Sequence, residues 1–146
     1  QKRKIHCLSV ERYPWDAGVS GRLNSGERMC AGRKVGVQAL HQAEWDVSVP
    51  VTEFFELHKI QGDSNTCDLP DRIDLVYFDA FAPDKQPEMW NRNIFDRLYA
   101  RTTGGGVLTT YCAKGAVRRL MKEAGYSVET IPGPTGKREM PRALTF

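Results

Sequence analysis

Residues 73–90 read Ile-Asp-Leu-Val-Tyr-Phe-Asp-Ala-Phe-Ala-Pro-Asp-Lys-Gln-Pro-Glu-Met-Trp. The first six form a nearly continuous apolar run, the pattern of a strand buried by helices on both faces of a parallel sheet. Asp79 ends the run, and the prolines that follow prevent its extension. Pro87 suits the first turn of a helix expected over about Pro87–Ala100, with Trp90, Ile94 and Leu98 spaced by four along one face. A strand, a short acidic loop and a helix in this order form the repeating unit of an α/β fold.

The same alternation extends in both directions. Apolar runs at Ile5–Val10, Phe54–Ile60 and Val107–Tyr111 read as further buried strands. Between Ala113 and Ala124 the residues Ala113, Ala116, Val117, Leu120, Met121 and Ala124 form a single helical stripe, and Gly125 follows as a stop. Two more strands are expected at Tyr126–Ile131 and Glu139–Phe146, joined by the turn-rich stretch Pro132–Gly136. Gly104-Gly105-Gly106 reads as a turn before the fourth strand, because no helix opens after it. The expectation is an α/β domain with a mainly parallel sheet, a single domain over 1–146. Residues 16–37, with five glycines and little periodicity, are expected to be an irregular insert or loop.

The length of 146 residues fits one domain. No apolar run approaches the roughly 18–20 residues of a membrane helix. A net charge of +3 permits a nucleic-acid partner without demanding one. Cys7, Cys30, Cys67 and Cys112 match no zinc spacing, and His6, His41 and His58 lie far apart, so no metal site is expected. Those cysteines read as reduced thiols of a cytoplasmic protein. The tryptophans Trp15, Trp45 and Trp90 read as packing residues. No leader segment is visible at Gln1, and the chain reads as a processed or truncated piece of something longer.

In parallel sheets, ligands gather outside the carboxyl ends of the strands. Glu11 follows the first strand, Gly62-Asp63 the second and Asp79 the third. A carboxylate in such a place can accept hydrogen bonds from ribose hydroxyls or an adenine amino group. Each acid alone is an ordinary cap or turn residue; three on successive strands point to a nucleoside ligand. Asp79 is also placed to accept a hydrogen bond from an amine, and Phe81 to stack on a base. The competing reading makes Phe81 a core residue and Asp79 a cap of the next helix.

The block Tyr77–Trp90 resembles the signature of the MnmC-like (MnmD-type) tRNA methyltransferases. The resemblance continues through Gly105–Arg119, Pro132-Gly133-Pro134, Gly136–Met140, Ser9–Pro14 and the region from Leu40 to Asp63, about four fifths of the chain. It implies a class I, Rossmann-like methyltransferase fold with a seven-stranded sheet and an antiparallel last strand. It also implies S-adenosyl-L-methionine as cofactor and the 5-aminomethyl group of 2-thiouridine at the tRNA wobble position as substrate. By position, Glu11 would hold the ribose hydroxyls, Asp63 would lie near the adenine, and Ala80 would border the cofactor. Asp79 and Phe81 would face the amine as the catalytic pair. A fused or separate FAD-dependent oxidoreductase accompanies some relatives. Two departures stand out. The family's first strand and its glycine-rich loop are absent from this chain, which begins near the strand the family counts as second. Residues 16–37 are also richer in glycine than the family's usual connection.

Lys114, Arg118 and Lys122 recur every four residues on one helix face. With Lys137 and Arg138 they form the candidate RNA contact. The alternative is a solvated helix face whose cations pair with Glu123 or Asp96. A second functional reading remains beside the enzyme: a non-catalytic remnant that binds RNA or a protein partner.

Overall fold

A computed structural model describes residues 3–14, 39–136 and 138–146. The irregular insert expected at 16–37 lies outside the described residues. The chain divides into two compact units, Gln1–Thr66 and Cys67–Phe146.

The first unit holds β1 (Ile5–Glu11), β2 (Ser48–Thr52) and β3 (Phe55–Gln61) in the order β1-β3-β2. Strands β1 and β3 run parallel in unbroken register, from Ile5 opposite Phe55 to Glu11 opposite Gln61. Both therefore end at the same edge of the sheet. Strand β2 pairs antiparallel with β3. Strand β2 has no clear signature in the sequence, because Pro50 interrupts a five-residue run. Proline lacks the N–H a ladder needs, and β2 tolerates it by lying at the sheet edge. Leu57 and Lys59 are buried from β3. The Lys59 ammonium lies 4.6 Å from the centre of the Trp45 ring and donates to the His41 carbonyl at 3.1 Å. Burial holds the Lys59 pKa below its ordinary value.

The second unit holds β4 (Ile73–Phe78), α1 (Arg92–Arg101), β5 (Thr102–Thr110), α2 (Gly115–Ala124), β6 (Ser127–Pro132) and β7 (Glu139–Leu144). Its sheet order is β4-β5-β7-β6. Strands β4 and β5 are parallel, while β7 runs antiparallel to both β5 and β6. Phe78, Leu108 and Ala143 from the strands pack with Ile94, Phe95 and Leu98 of α1 and Val117, Met121 and Ala124 of α2. Phe95, Met121, Leu108 and Ala143 are wholly buried. The Phe78 ring meets Trp90 edge-on at 5.1 Å and Phe95 at 5.2 Å, separations at which aromatic rings attract beyond their area burial.

Four expectations need correction here. The helix expected from Pro87 is a single 3-10 turn at Pro87–Met89, and α1 begins only after Asn91. The Asn91 side chain accepts the Ile94 amide at 3.1 Å, which makes it the true cap. Helix α2 starts at Gly115, two residues later than Ala113. The three glycines are not a turn before β5 but part of it: between Ile73 and Leu75 of β4 the partner strand advances from Thr102 to Val107. Gly105 adopts φ +80°, and a Cβ on Gly106 would collide with Thr102 Cγ2 and the Thr103 carbonyl, so glycine is required at this irregular stretch. Finally, β4 is not covered on both faces within this unit. Phe78 is buried, but Leu75 and Tyr77, which point the other way, are exposed.

The seven described strands thus form two hydrogen-bonded sheets, with β1 at an edge of one and β4 at an edge of the other. Among the described residues, no helix is long and apolar enough to cross a membrane.

Candidate active site

The parallel register of β1 on β3 brings Glu11 and Asp63 to one edge of the first unit. Pairing continues past the strand ends, where the Gly62 amide donates to the Glu11 carbonyl at 3.0 Å. One Glu11 carboxylate oxygen accepts the Tyr13 amide at 3.0 Å. The side chain is otherwise exposed, which leaves lone pairs for hydroxyl donors. Asp63 opens a tight turn: its Oδ1 accepts the Asn65 amide at 2.8 Å and the Asn65 side-chain amide at 3.1 Å. Its other oxygen, Oδ2, is paired with Arg12 Nη1 at 3.1 Å. Arg12 also lies over the Tyr13 ring, 5.4 Å from its centre. Sequence reasoning missed Arg12, although it adjoins Glu11 in the chain.

The second unit carries Asp79, Ala80 and Phe81 on the loop that leaves β4. Asp79 is exposed, and among the described residues no hydrogen bond or ion pair reaches its carboxylate. It does not cap the next helix, because Asn91 holds that position. Phe81 is 74% exposed, which rules out the core reading. Ala80 is half-buried and packs on the hydrophobic core. The loop backbone is held from within. The Phe81 amide donates to Gln86 Oε1 at 3.1 Å, and Trp90 Nε1 donates to the Phe81 carbonyl at 2.8 Å. The Lys85 and Gln86 amides both donate to the Ala82 carbonyl, at 2.8 and 2.9 Å. Sequence reasoning did not single out Gln86, whose role depends on the loop's folded path.

Of the five candidate RNA cations, Lys114 donates to Asp84 at 3.0 Å and Arg118 to Glu139 at 2.7 Å, while Lys122 is exposed. The Lys114 ammonium holds the Asp84 carboxyl below its ordinary pKa. Arg138 is exposed, and its carbonyl accepts the Gly133 amide at 3.4 Å across the β6–β7 turn. Lys137 lies outside the described residues. The acids expected to pair with these cations, Asp96 and Glu123, are instead contacted by Arg92. Among the described residues, no three His, Cys, Asp or Glu side chains come together as a metal site. Cys7 and Cys112 are free thiols, and burial pushes the Cys7 pKa up.

Helices packed on a partly parallel sheet with an antiparallel last strand give the second unit a Rossmann-like α/β fold. The fold matches the crystal structure of MnmC2 from Aquifex aeolicus with a TM-score of 0.76 at 18% identity, over 98% of this chain and 44% of that one. The chain belongs to a family of S-adenosyl-L-methionine-dependent methyltransferases, whose model matches residues 37–145. Its cofactor is therefore S-adenosylmethionine, as the resemblance implied. Two curated relatives are described as the tRNA 5-methylaminomethyl-2-thiouridine biosynthesis bifunctional protein MnmC. That from Ralstonia nicotianae is 34% identical over 94% of this chain, and that from Cupriavidus necator 32% identical over 93%. The chain spans 22% of the length of each.

Proposed function

We propose that this chain is part of an enzyme that methylates the 5-aminomethyl group of 2-thiouridine at the tRNA wobble position. The observation that carries this reading is the Asp79 loop: a carboxylate with no partner among the described residues, at the end of a parallel strand and two residues from an exposed aromatic ring on a braced backbone. The names of the relatives support the choice of substrate. Their description as bifunctional supports an FAD-dependent oxidoreductase, fused or separate, as partner. A tRNA substrate and the thiols of Cys7 and Cys112 fit a reducing cytoplasm.

The residues present fit the cofactor. A nucleoside sulfonium offers hydroxyl and amino donors, and Glu11 keeps carboxylate lone pairs beyond the one bound by Tyr13. Glu11 would hold the ribose hydroxyls, Asp63 would receive the adenine amino group, and Ala80 would border the site. When bound, S-adenosylmethionine supplies an electrophilic methyl group. The chain's own work is positioning and proton handling. The substrate amine is mostly protonated at neutral pH and must lose a proton before it attacks. Asp79 accepts a hydrogen bond from that amine, orients its lone pair and takes or relays the proton. Phe81 stacks on the base, a contact worth about 1–3 kcal/mol. Alignment of the reacting atoms can supply up to about 7–11 kcal/mol of the barrier reduction in favourable cases. Lys114, Arg118, Lys137 and Arg138 would meet phosphates. The first two would do so by exchanging Asp84 and Glu139 for RNA, so binding weakens as salt rises.

The test is incubation of the full-length protein with S-adenosylmethionine and tRNA carrying 5-aminomethyl-2-thiouridine, followed by nucleoside mass spectrometry. A single methyl gained on the wobble nucleoside is expected. Retained tRNA binding without methyl gain would overturn the reading in favour of a non-catalytic RNA-binding remnant.

A further inference from the structure

We propose that Gln86 and Trp90 are positioning residues that grip the Phe81 backbone at its N–H and its C=O, and so fix the Asp79 carboxylate and the Phe81 ring together. The proposal rests on the methyl-transfer reading above.

A solvent-exposed loop ordinarily leaves its backbone groups to water. Here both polar groups of one residue are taken by side chains: the amide by Gln86 Oε1 at 3.1 Å, the carbonyl by Trp90 Nε1 at 2.8 Å. That residue is Phe81, whose ring is 74% exposed. Nothing in its own burial would hold the ring outward; the grip on its backbone does. The two gripping residues are themselves secured. The Gln86 amide donates to Ala82, and its carbonyl accepts the Met89 amide at 3.1 Å. Trp90 is buried, with its ring edge-on to Phe78 at 5.1 Å.

Phe78 immediately precedes Asp79, and Phe81 lies two residues beyond it. Trp90 therefore touches the chain on both sides of Asp79, through its ring on one side and its N–H on the other. With no partner among the described residues, the Asp79 carboxylate has its direction set by the backbone that carries it. Fixing the flanking residues is how a fold can aim such a group without occupying its oxygens. The chemistry needs that precision, because small misplacement of reacting groups costs rate more than affinity.

The experiment uses the full-length protein with Gln86→Leu, Gln86→Glu and Trp90→Phe. Leucine removes the acceptor, glutamate restores an acceptor oxygen, and phenylalanine keeps the ring but removes the donor. For Gln86→Leu and Trp90→Phe the expected result is a kcat lowered about tenfold to a hundredfold, with KM for tRNA and Kd for S-adenosylmethionine little changed. Gln86→Glu should recover most of kcat. Hydrogen exchange at the Phe81 amide should be about tenfold faster in Gln86→Leu than in the parent or in Gln86→Glu. Unchanged kcat in both disrupting variants overturns the proposal. So does a parallel loss of kcat, cofactor affinity and melting temperature, which would signal general destabilisation. If the parent itself transfers no methyl group, the functional reading fails, and the Phe81 exchange rates still decide whether the grip exists.

Discussion

Arg12 Nη1 and Asp63 Oδ2 lie 3.1 Å apart and tie the end of β1 to the turn that follows β3. Both Asp63 oxygens are therefore already engaged: one serves the Asn65 turn and the other an arginine. Both side chains are partly exposed, so the pair adds little stability. Arg12→Ala should change unfolding free energy by less than about 1 kcal/mol. If Asp63 receives the adenine amino group, Arg12→Ala should leave S-adenosylmethionine affinity unchanged or tighter, because a competing cation is removed. Asp63→Ala should weaken it. Calorimetric titration of the two variants separates these outcomes, and weakening by Arg12→Ala alone would assign the contact to arginine instead.

Glu11 and Asp79 are expected to fail in different ways. Glu11→Ala removes acceptors for two ribose hydroxyls, and charged hydrogen bonds of this kind contribute enough to weaken cofactor binding by about tenfold or more. Asp79→Ala should leave cofactor affinity largely intact and abolish most methyl transfer. Equilibrium binding and single-turnover methylation distinguish the two. Near-normal turnover in Asp79→Ala would remove its catalytic role, and an unchanged dissociation constant in Glu11→Ala would remove its role in the cofactor site.

The difference between what the sequence disclosed and what it hid follows the range of the interactions. The β4 run and the α2 stripe were legible because hydrophobic periodicity is a local signal. The acidic residues at strand ends were legible for the same reason: a carboxylate that closes an apolar run falls at the sheet edge. Strand β2 was hidden by Pro50, acceptable only because β2 is an edge. The extension of β5 was hidden by glycines that signal a turn in isolation but an irregular ladder beside β4. The Arg12–Asp63 pair depends on two strands far apart in the chain coming into parallel register, which no local pattern encodes. Gln86 was overlooked although it lies five residues from Phe81, because a glutamine side chain carries no periodic signal and its acceptor role exists only once the loop closes.

Gly125 ends α2 with φ +113°, and a Cβ there would meet Tyr99 Cζ at 2.8 Å. Gly125→Ala combines a strained backbone with a collision against an aromatic ring that packs on Tyr126, and should cost about 1–3 kcal/mol or more. Gly115→Ala is the control. Its Cβ would meet Arg119 Nη1 at an ordinary 3.7 Å, in the first turn of the same helix. That change should be neutral or stabilising by up to about 1 kcal/mol. Urea unfolding of both variants gives the comparison, and equal effects would show that neither backbone angle nor space at Gly125 matters.

Tyr126 is buried against Tyr99, with ring centres 5.0 Å apart, and among the described residues its hydroxyl has no hydrogen-bond partner. Burial pushes its pKa up to about 12. The nearby Thr102 hydroxyl, which donates to the Leu98 carbonyl at 2.6 Å, only tempers that rise. In the unfolded chain the phenol titrates near its ordinary value of 10.0. Below that pH both states keep the proton, and Tyr126 adds no pH dependence. As pH climbs from about 10 to about 12 the unfolded state loses its proton first, so it binds fewer protons than the native state and stability must fall. Tyr126→Phe should remove that part of the alkaline decline. It should also leave neutral-pH stability unchanged or raise it by about 1 kcal/mol, because an unsatisfied polar atom leaves the core while the ring packing stays. Urea unfolding of parent and variant across the alkaline range tests both consequences. Parallel stability curves in that range would mean that the Tyr126 phenol titrates alike in the folded and unfolded states, and a loss of stability at neutral pH would reveal a hydrogen bond to its hydroxyl.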